Sequence, residues 1–333
     1  MTNQVVIHDA ATEQWLHFQS PRKVIEAMCI EEVMPQLRLV EQMVQQHGLY
    51  AAGFISYEAA PAFDTALQVR SPDSFPLLWF GLYPRPEVIE LPPPAQNSSQ
   101  PALEWTPSVS RPAYNQAIAR IKEHIACGDT YQVNYTLRLR TPFFGDPWPF
   151  FLELVQAQQA DYGAYVDAEQ FAICSASPEL FFRLDQDQLV TRPMKGTATR
   201  GLTLAEDEAQ AQWLHHSEKN RAENVMIVDM IRNDIGRIAT TGSVRVPRLF
   251  DVERYPTLWQ MTTTVAATTA ASLSGIMTAL FPCASITGAP KPRTMQIIAD
   301  LETMPRRVYT GCIGFVTPPA PGPIQCIHSD RHC

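Results

Sequence analysis

The sequence has little of what marks a nucleic-acid-binding or a secreted protein. Its 333 residues include 26 Lys and Arg against 34 Asp and Glu, which gives a formal net charge of −8. No basic cluster stands out, and this argues against general nucleic-acid binding. The seven cysteines form no CxxC pair. Their scatter predicts reduced thiols in a cytoplasmic protein rather than a disulfide framework.

Signals for secretion or membrane insertion are also missing. The N-terminal residues MTNQVVIH have neither a basic flank nor a long apolar stretch. No charged residue occurs between Arg254 and Lys291, but that stretch is broken by Pro256 and Pro282 and is rich in Thr, Ser and Ala. It is too polar for a span of about 20 apolar residues. We therefore predict a buried strand followed by a helix there, and no membrane contact.

Length and composition favour a soluble globular protein with two modest domains or one large one. Hydrophobic residues make up 45% of the chain and charged residues 18%, which is unlike a disordered protein. The sequence divides into an N-terminal region, residues 1–84, and a larger region, residues 113–318. Residues 85–112 are rich in Pro, Ser and Gln and are predicted to be a linker.

Short apolar segments, some with helical spacing and some with strand-like alternation, predict an α+β fold with largely antiparallel sheets flanked by helices. Some segments alternate apolar and polar residues, and others have apolar residues at helical spacing. The predicted helices cover residues 31–47 and 114–127, and the predicted strands cover residues 50–58, 75–83 and 133–139.

Lys195 is the most informative single residue. It lies in RPMKGT at 192–197, between two segments that contain a carboxylate, SPE at 177–179 and RAEN at 221–224. A lysine after strand-like residues and directly before Gly-Thr suits a side chain at the mouth of a cleft. An amine that is neutral there can act as a nucleophile or a base. Most lysines are solvated surface charges, so this residue alone leaves both interpretations open.

Residues 217–237 are predicted to form a helix that carries Glu223 on an apolar stripe. Glu223, Ile227 and Met230 recur at helical spacing. A carboxylate on such a stripe is costly unless it is paired or bound to a cation. A Mg²⁺ ion that bridges the carboxylate and an anionic ligand would satisfy it, and so would a salt bridge to a nearby arginine. The residues alone leave both arrangements open.

The segment SITGAP at 285–290 has the pattern of a helix start. Thr287 or Gly288 is predicted to be the N-cap, with Pro290 in the first turn. Free backbone N–H groups at the N-terminus of a helix can bind a carboxylate. An ordinary helix start that binds no ligand is the common alternative.

Together, these segments resemble the chorismate-utilising enzymes, a family that includes anthranilate, aminodeoxychorismate, isochorismate and salicylate synthases. The resemblance rests on the order and spacing of the segments around Glu179, Lys195 and Glu223 and of FPCASITGAPK at 281–291. It extends over about 114–318. It implies an anthranilate synthase component I-like fold, in which residues 1–84 are the N-terminal region and residues 113–318 the chorismate-binding domain.

Two positions resemble the aminodeoxychorismate synthases of this family. Lys195 stands where anthranilate synthases usually have alanine, and Gln260 stands where they usually have histidine. The resemblance implies the large subunit of a synthase that forms 4-amino-4-deoxychorismate from chorismate and ammonia, for para-aminobenzoate and folate biosynthesis. Anthranilate synthase component I, or another chorismate enzyme, is the alternative.

The resemblance also implies roles for individual residues. Glu179 is expected to protonate the departing 4-hydroxyl group, and Lys195 is expected to attack the ring. Glu223 is expected to be one of two Mg²⁺ ligands. The residues expected to line the chorismate pocket are Thr197, Gln260, Ser285, Thr287, Gly288 and Tyr309.

A protein partner is implied as well. Relatives of this type receive ammonia from a separate glutamine amidotransferase subunit. No cysteine of the chain lies in a Gly-x-Cys-x-Gly nucleophile elbow. We therefore expect such a subunit to be needed for glutamine use, with free ammonia as a substitute.

After Pro318 the sequence departs from the family pattern. Relatives continue with an Ile-Arg-Thr strand, a Gly-rich segment and an acidic helix that carries the second Mg²⁺-binding glutamate. Residues 319–333 instead read PAPGPIQCIHSDRHC. The expectation is a non-family tail, with the C-terminal strands and helix missing and a shifted reading frame as one cause. A truncated, catalytically inactive family member is thus a third functional hypothesis.

Overall fold

A computed structural model describes residues 3–94, 103–159 and 161–318, together with the backbone of residues 324–328. In these residues, helices flank antiparallel sheets, which confirms the predicted α+β class. The α-helices are α1 (Ile30–His47), α2 (Arg111–Ala126), α3 (Pro147–Gln158), α4 (Leu204–His216), α5 (Glu218–Gly236), α6 (Leu273–Leu280) and α7 (Lys291–Leu301). Two short 3-10 turns cover Tyr57–Ala62 and Ala284–Ile286.

The strands form two large sheets and two short ribbons. The smaller sheet has the order β11 (Phe171–Ser177), β10 (Tyr162–Ala168), β1 (Gln4–Asp9), β2 (Gln14–Phe18) and β6 (Glu87–Ile89). The larger sheet has the order β14 (Met194–Thr199), β16 (Leu258–Thr268), β13 (Gln188–Arg192), β12 (Leu180–Asp185), β19 (Ile324–His328), β18 (Cys312–Val316), β4 (Tyr50–Ile55), β5 (Leu78–Tyr83) and β3 (Lys23–Ala27), and β15 (Arg245–Arg254) pairs with β16. The ribbons pair β17 (Gly288–Ala289) with β8 (Gln132–Val133) and β7 (Thr106–Pro107) with β9 (Leu139–Arg140).

Both sheets draw strands from both regions of the sequence. In the smaller sheet, Val5 of β1 lies opposite Val166 of β10. In the larger sheet, Gly53 of β4 lies opposite Gly314 of β18. β6 belongs to the predicted linker, yet it pairs with β2. The divisions of the sequence near residues 84 and 113 are therefore not divisions between sheets.

The segment predicted to be a non-family tail lies outside the described residues, except for the backbone of β19. That strand pairs antiparallel with β12 on one side and with β18 on the other. Leu180 lies opposite Ile327, and Phe315 lies opposite Gln325. Residues 324–328 thus join the two halves of the larger sheet through backbone hydrogen bonds.

Two apolar clusters cover the two faces of the larger sheet. One contains residues of both sheets, and the other contains residues of α1, α5 and α6. β4 shows the alternation that this requires, because successive side chains of a strand point to opposite faces. Ala52 and Phe54 belong to the first cluster, and Ala51 and Ile55 belong to the second.

The helices predicted from periodicity are confirmed as α1, α2 and α5, and the uncharged stretch after Arg254 contains β16 followed by α6. The strand predicted over 133–139 is wrong, because only its ends pair, as β8 and β9. The N–H groups of Asn134 and Thr136 are instead bound by the carbonyl of Thr287 and by the carboxylate of Glu302, both at 2.9 Å. Within the described ranges, no helix combines the length and the apolar character needed to cross a bilayer.

A buried cluster of charges ties the 3-10 turn Tyr57–Ala62 to the segment after α7. Glu58 accepts hydrogen bonds from the backbone N–H groups of Arg306, at 2.6 Å, and Arg307, at 2.8 Å. The Arg306 guanidinium lies 4.6 Å from the centre of the Tyr57 ring. Burial raises the pKa of Glu58 to about 7, although both N–H groups oppose the shift.

We predict that Glu58 lowers the stability of the fold as the pH rises from 5 to 8. Its ordinary pKa is 4.5, so between 4.5 and 7 the folded state binds more protons than the unfolded state. The free energy of unfolding then falls with rising pH, by up to about 3 kcal/mol for this shift. Asp207, whose pKa the Arg200 hydrogen bond lowers, titrates below this window.

Urea denaturation of the wild type and of Glu58→Gln at pH 5 and pH 8 tests this prediction. The variant should lose less stability than the wild type over this interval, because its side chain does not titrate. Equal pH dependence of the two proteins would show that Glu58 is charged at both pH values.

Candidate functional site

Glu179 and Ser285 are in direct contact, although 106 positions separate them in the sequence. Ser285 Oγ donates a hydrogen bond to Glu179 Oε1 at 2.5 Å. Both residues are buried, with Glu179 4% and Ser285 2% exposed. The Glu179 backbone N–H donates to Ser177 Oγ at 3.2 Å. A carboxyl group with a fixed orientation therefore lies at the start of β12.

The register of the larger sheet brings Lys195 to the same end as Glu179. Leu180 of β12 lies opposite Arg192 of β13 in an antiparallel pair. Glu179, one residue before Leu180, is therefore level with Pro193, and Lys195 follows two residues later on β14. The two residues predicted to carry the chemistry thus lie at the same end of the larger sheet.

Helix α5 is fixed against β14 by a buried amide. Asn224 Nδ2 lies 3.5 Å from the carbonyl oxygen of Lys195, and Asn224 Oδ1 accepts a hydrogen bond from Thr263 Oγ1 at 2.6 Å. Gly196 allows this close approach, because a Cβ atom there would lie 3.0 Å from Asn220 Cβ. The backbone of Lys195 is therefore held between the helix and β16.

Thr197 and Gln260 form a polar pair two residues beyond Lys195. They lie opposite each other on β14 and β16. Thr197 Oγ1 donates a hydrogen bond to Gln260 Oε1 at 2.8 Å. Thr197 is exposed and Gln260 is half-buried, so the pair lies at the surface edge of the site.

The segment at 285–290 is not a helix start, and the prediction of Thr287 or Gly288 as N-cap is wrong. α7 begins at Lys291 with Pro290 as its N-cap. Gly288 instead pairs with Val133 of β8. The fully buried Thr287 donates its hydroxyl group to the carbonyl of Cys283 at 3.0 Å. Pairing with β8 satisfies the backbone of this segment before the helix begins.

Gly288 is required by its surroundings. Its φ of +140° lies in a region that L side chains rarely adopt. A Cβ atom there would lie 2.0 Å from the carbonyl oxygen of Gln132 and 2.7 Å from Thr294 Cγ2. Only glycine lets β8 and β17 approach this closely beside Ser285.

Glu223 lies on the predicted helix, but its side chain is only partly buried. Its side chain is 39% exposed, and its carboxylate lies 3.9 Å from the Lys219 ammonium one helical turn earlier. Asn220 and Asn224 occupy the face of α5 that packs on β14. Glu223 lies beside that face, at its edge.

The chemistry of the donor set limits what metal could bind. Within residues 3–94, 103–159 and 161–318, no three His, Cys, Asp or Glu side chains converge as metal ligands. Glu223 offers one accessible carboxylate. Mg²⁺ is commonly bound by one or two carboxylates together with water and oxygens of an anionic substrate. Glu223 therefore fits an ion that is shared with a bound anion, and it does not form a complete protein site.

Tyr309 is held by the same segments that hold Ser285. The Arg138 guanidinium lies 5.2 Å from the centre of the Tyr309 ring. Arg306, three residues before Tyr309, donates hydrogen bonds to the carbonyls of Asn134 at 2.6 Å and Ile286 at 3.1 Å. The loop before β18 is thereby tied to the ends of β8 and of the 3-10 turn.

The site predicted from the sequence does not include three residues of this arrangement. Asn134, Asn224 and Arg306 position other residues through hydrogen bonds to backbone carbonyls. Only Asn224 could have been found, because it directly follows Glu223 and lies four residues after Asn220 on a predicted helix. The partners of Asn134 and Arg306 lie too far away in sequence for any periodic pattern to report.

A family model for chorismate binding enzymes matches residues 2–321. Aminodeoxychorismate synthase component 1 of Escherichia coli (strain K12) is 44% identical over 216 residues, which cover 64% of this chain and 48% of that protein. The Bacillus subtilis (strain 168) protein of the same name is 40% identical over 228 residues, 67% of this chain and 48% of that protein. Anthranilate synthase component 1 of Aquifex aeolicus (strain VF5) is 36% identical over 215 residues, 64% of this chain and 44% of that protein. The chain spans about half the length of these relatives.

Solved structures share the fold. Anthranilate synthase component I of Streptococcus pneumoniae TIGR4 has a TM-score of 0.80 at 23% identity, over 98% of this chain and 83% of that chain. The menaquinone-specific isochorismate synthase of Escherichia coli has a TM-score of 0.69 at 15% identity, over 98% of this chain and 78% of that chain. The anthranilate synthase component I-like fold that the motifs predict is confirmed.

We predict that Gly288→Ala destabilises the protein by about 2 kcal/mol or more, because the backbone conformation and the contact with Gln132 both exclude a side chain. Gly275→Ala is the matched control. Gly275 lies in α6, and a Cβ atom there would be 3.5 Å from Ala271 Cβ and from Ser272 Oγ, an ordinary contact. That control should be neutral or stabilising by about 0.5–1 kcal/mol. Thermal unfolding of both variants decides, and equal midpoints would refute the steric argument.

Proposed function

The chain belongs to the family of chorismate-binding enzymes, and from this premise we propose that it has the activity of an aminodeoxychorismate synthase large subunit. The reaction replaces the 4-hydroxyl group of chorismate with an amino group from ammonia and releases water. Its product, 4-amino-4-deoxychorismate, leads to para-aminobenzoate and folate. The observation that supports the proposal is the strand register that brings Lys195 to the end of the larger sheet where the buried Glu179 carboxyl group lies.

In this proposal, Glu179 is the general acid. Ser285 Oγ at 2.5 Å fixes the orientation of its carboxyl group. A positioned acid lowers the barrier by protonating a leaving oxygen as its bond breaks. The 4-hydroxyl group then leaves as water, and Glu179 is left as a carboxylate.

Lys195 is the nucleophile of the proposed reaction. Its neutral amine forms a bond to C2 as the C4–O bond breaks. Ammonia then forms a bond to C4 as the C2–N bond breaks, and the lysine amine is released. The new ammonium group returns one proton to the Glu179 carboxylate, so that the acid is ready for the next turnover.

The substrate carries two carboxylates, whereas the chain has a net charge of −8. Local donors must therefore hold it. We assign this role to Thr197 and Gln260 on β14 and β16, to the segment at 285–290 and to Tyr309, together with the Mg²⁺ ion that Glu223 would hold. When bound, such an ion neutralises substrate charge. The proposed substrate-binding residues are Thr197, Gln260, Ser285, Thr287, Gly288 and Tyr309.

The ammonia source is a further part of the proposal. The relatives at 44% and 40% identity are named as component 1 of their synthase, which implies a second component. We propose a separate glutamine amidotransferase subunit as the partner of this chain. Ammonium salts at high concentration should replace it in an assay.

Anthranilate synthase is the second candidate function. A relative with that name is 36% identical to this chain. The product distinguishes the two candidates, because anthranilate is aromatic and fluorescent whereas 4-amino-4-deoxychorismate retains the enolpyruvyl ether of chorismate.

We predict that the purified protein converts chorismate to 4-amino-4-deoxychorismate in the presence of MgCl₂ and ammonium chloride. Liquid chromatography with mass detection identifies the product and measures its rate of formation. Anthranilate as the main product would establish the second candidate instead. If chorismate is not consumed, even with an amidotransferase subunit present, the proposed function is wrong for this chain.

We further predict that Lys195→Ala abolishes formation of 4-amino-4-deoxychorismate but retains most of the affinity for chorismate. The proposed carboxylate contacts lie elsewhere, so the variant loses only the attacking amine. Calorimetric titration with chorismate measures the affinity. Lys122→Ala, at an exposed lysine of α2, is the matched control and should keep full activity. Near-normal turnover by Lys195→Ala would remove Lys195 from the chemistry.

A further inference from the structure

Asn134 uses all of its polar groups to hold the segments around Ser285. Its side-chain Nδ2 donates a hydrogen bond to the Ser285 carbonyl at 2.5 Å, and its backbone N–H donates to the Thr287 carbonyl at 2.9 Å. Its Oδ1 accepts from Gln132 Nε2 at 3.2 Å, and its backbone carbonyl accepts from Arg306 Nη2 at 2.6 Å. The residue therefore bridges the end of β8, the 3-10 turn Ala284–Ile286 and the loop after α7.

The Ser285 carbonyl needs such a partner. Ser285 is 2% exposed and lies in a turn of three residues that does not continue as a helix. A buried carbonyl without a hydrogen bond is costly, and α7 begins only at Lys291. The Asn134 amide supplies the bond and so fixes the direction in which the Ser285 backbone points.

Arg306 restrains the contact between Asn134 and Ser285. Its guanidinium binds the carbonyls on both sides of the contact, those of Asn134 and Ile286. Glu302 Oε1 lies 2.7 Å from Arg306 Nη2, and both side chains are almost fully buried. Asn134 therefore cannot move toward Ser285 or away from it without breaking a buried, charge-assisted contact.

We propose that Asn134 is a positioning residue that acts on the Glu179 carboxyl group through Ser285. The proposal rests on the proposed function, in which Glu179 is the general acid. The Asn134 amide holds the Ser285 backbone, and the Ser285 hydroxyl in turn donates to Glu179. Without the amide donor, the buried carbonyl has to find another partner, and the hydroxyl is drawn away from the carboxyl group.

The test measures the ionisation of Glu179 directly and needs no turnover. The protein is labelled with glutamate carrying ¹³C at the carboxyl carbon, and Glu179→Gln identifies the Glu179 resonance. A hydrogen bond to a carboxylate stabilises its charged form. Ser285→Ala should therefore move the titration midpoint of Glu179 to higher pH, and Asn134→Ala should move it in the same direction by a comparable amount.

Two further variants separate positioning from general loss of structure. Asn134→Leu keeps the branched shape of the side chain but has no donor, so it should reproduce the shift of Asn134→Ala. Asn115→Ala, at an exposed site of α2, should leave the midpoint unchanged. Three other titratable groups near this contact are unchanged in all of these proteins: Cys283, whose Sγ lies 3.2 Å from Ser285 Oγ, Tyr255, whose hydroxyl lies 3.5 Å from the Pro178 carbonyl oxygen, and Lys195.

The outcomes are decisive in each direction. A shift in Ser285→Ala but not in folded Asn134 variants would overturn the proposal, and so would an unchanged midpoint in Ser285→Ala. Failure of both Asn134 variants to fold, judged by thermal unfolding, would assign Asn134 a purely structural role. If the wild type forms 4-amino-4-deoxychorismate, the Asn134 variants should lower kcat more than they raise KM. If it forms none, the proposed function fails while the NMR comparison still decides the role of Asn134.

Discussion

The buried guanidinium of Arg306 is the interaction on which the irregular part of the structure depends. All five of its N–H groups have partners: Glu302 through Nε and Nη2, Asn134 through Nη2, and Ile286 and Thr310 through Nη1. A charge buried this deeply is tolerated only when it is paired and fully hydrogen-bonded. Glu302 and Thr310 belong to the same segment between α7 and β18 as Arg306, whereas Asn134 follows β8 and Ile286 ends a 3-10 turn. Pairing the charge therefore fixes the positions of these three segments relative to one another.

The hydrogen bonds of Arg306 and its partners explain why backbone segments outside the sheets can remain buried. The residues between β8 and β9 are not paired with a neighbouring strand. Instead, Glu302 accepts hydrogen bonds from both the N–H and the hydroxyl group of Thr136 at 2.9 Å. The segment at 285–290 similarly depends on Asn134 and β8. The strands of the larger sheet position Glu179 and Lys195, and the irregular segments position Ser285. The candidate site therefore lies where strands and irregular segments meet.

The same division separates what the sequence could predict from what it could not. The helices α1, α2 and α5 follow from apolar spacing, and the predicted boundaries 31–47, 114–127 and 217–237 differ from the observed ones by at most three residues. The failures all involve partners that are distant in sequence. Thr136 is bound by a carboxylate 166 positions away, and Gly288 pairs with Val133 rather than capping a helix. Local periodicity carries no record of such contacts. The grouping of Glu179 with Lys195 is expected only from the resemblance to a known family.

The distribution of charge at the site follows from this arrangement. The Arg306–Glu302 pair has no net charge. It fixes the positions of the neighbouring segments but adds no net positive charge to the site. Arg138 lies over Tyr309, and although burial lowers its pKa, an arginine remains protonated at neutral pH. In the proposed reaction, Lys195 has to be neutral in order to act as a nucleophile. None of the residues proposed to bind the dicarboxylate substrate carries a permanent positive charge. In the same proposal, a cation shared between Glu223 and the substrate would offset that deficit.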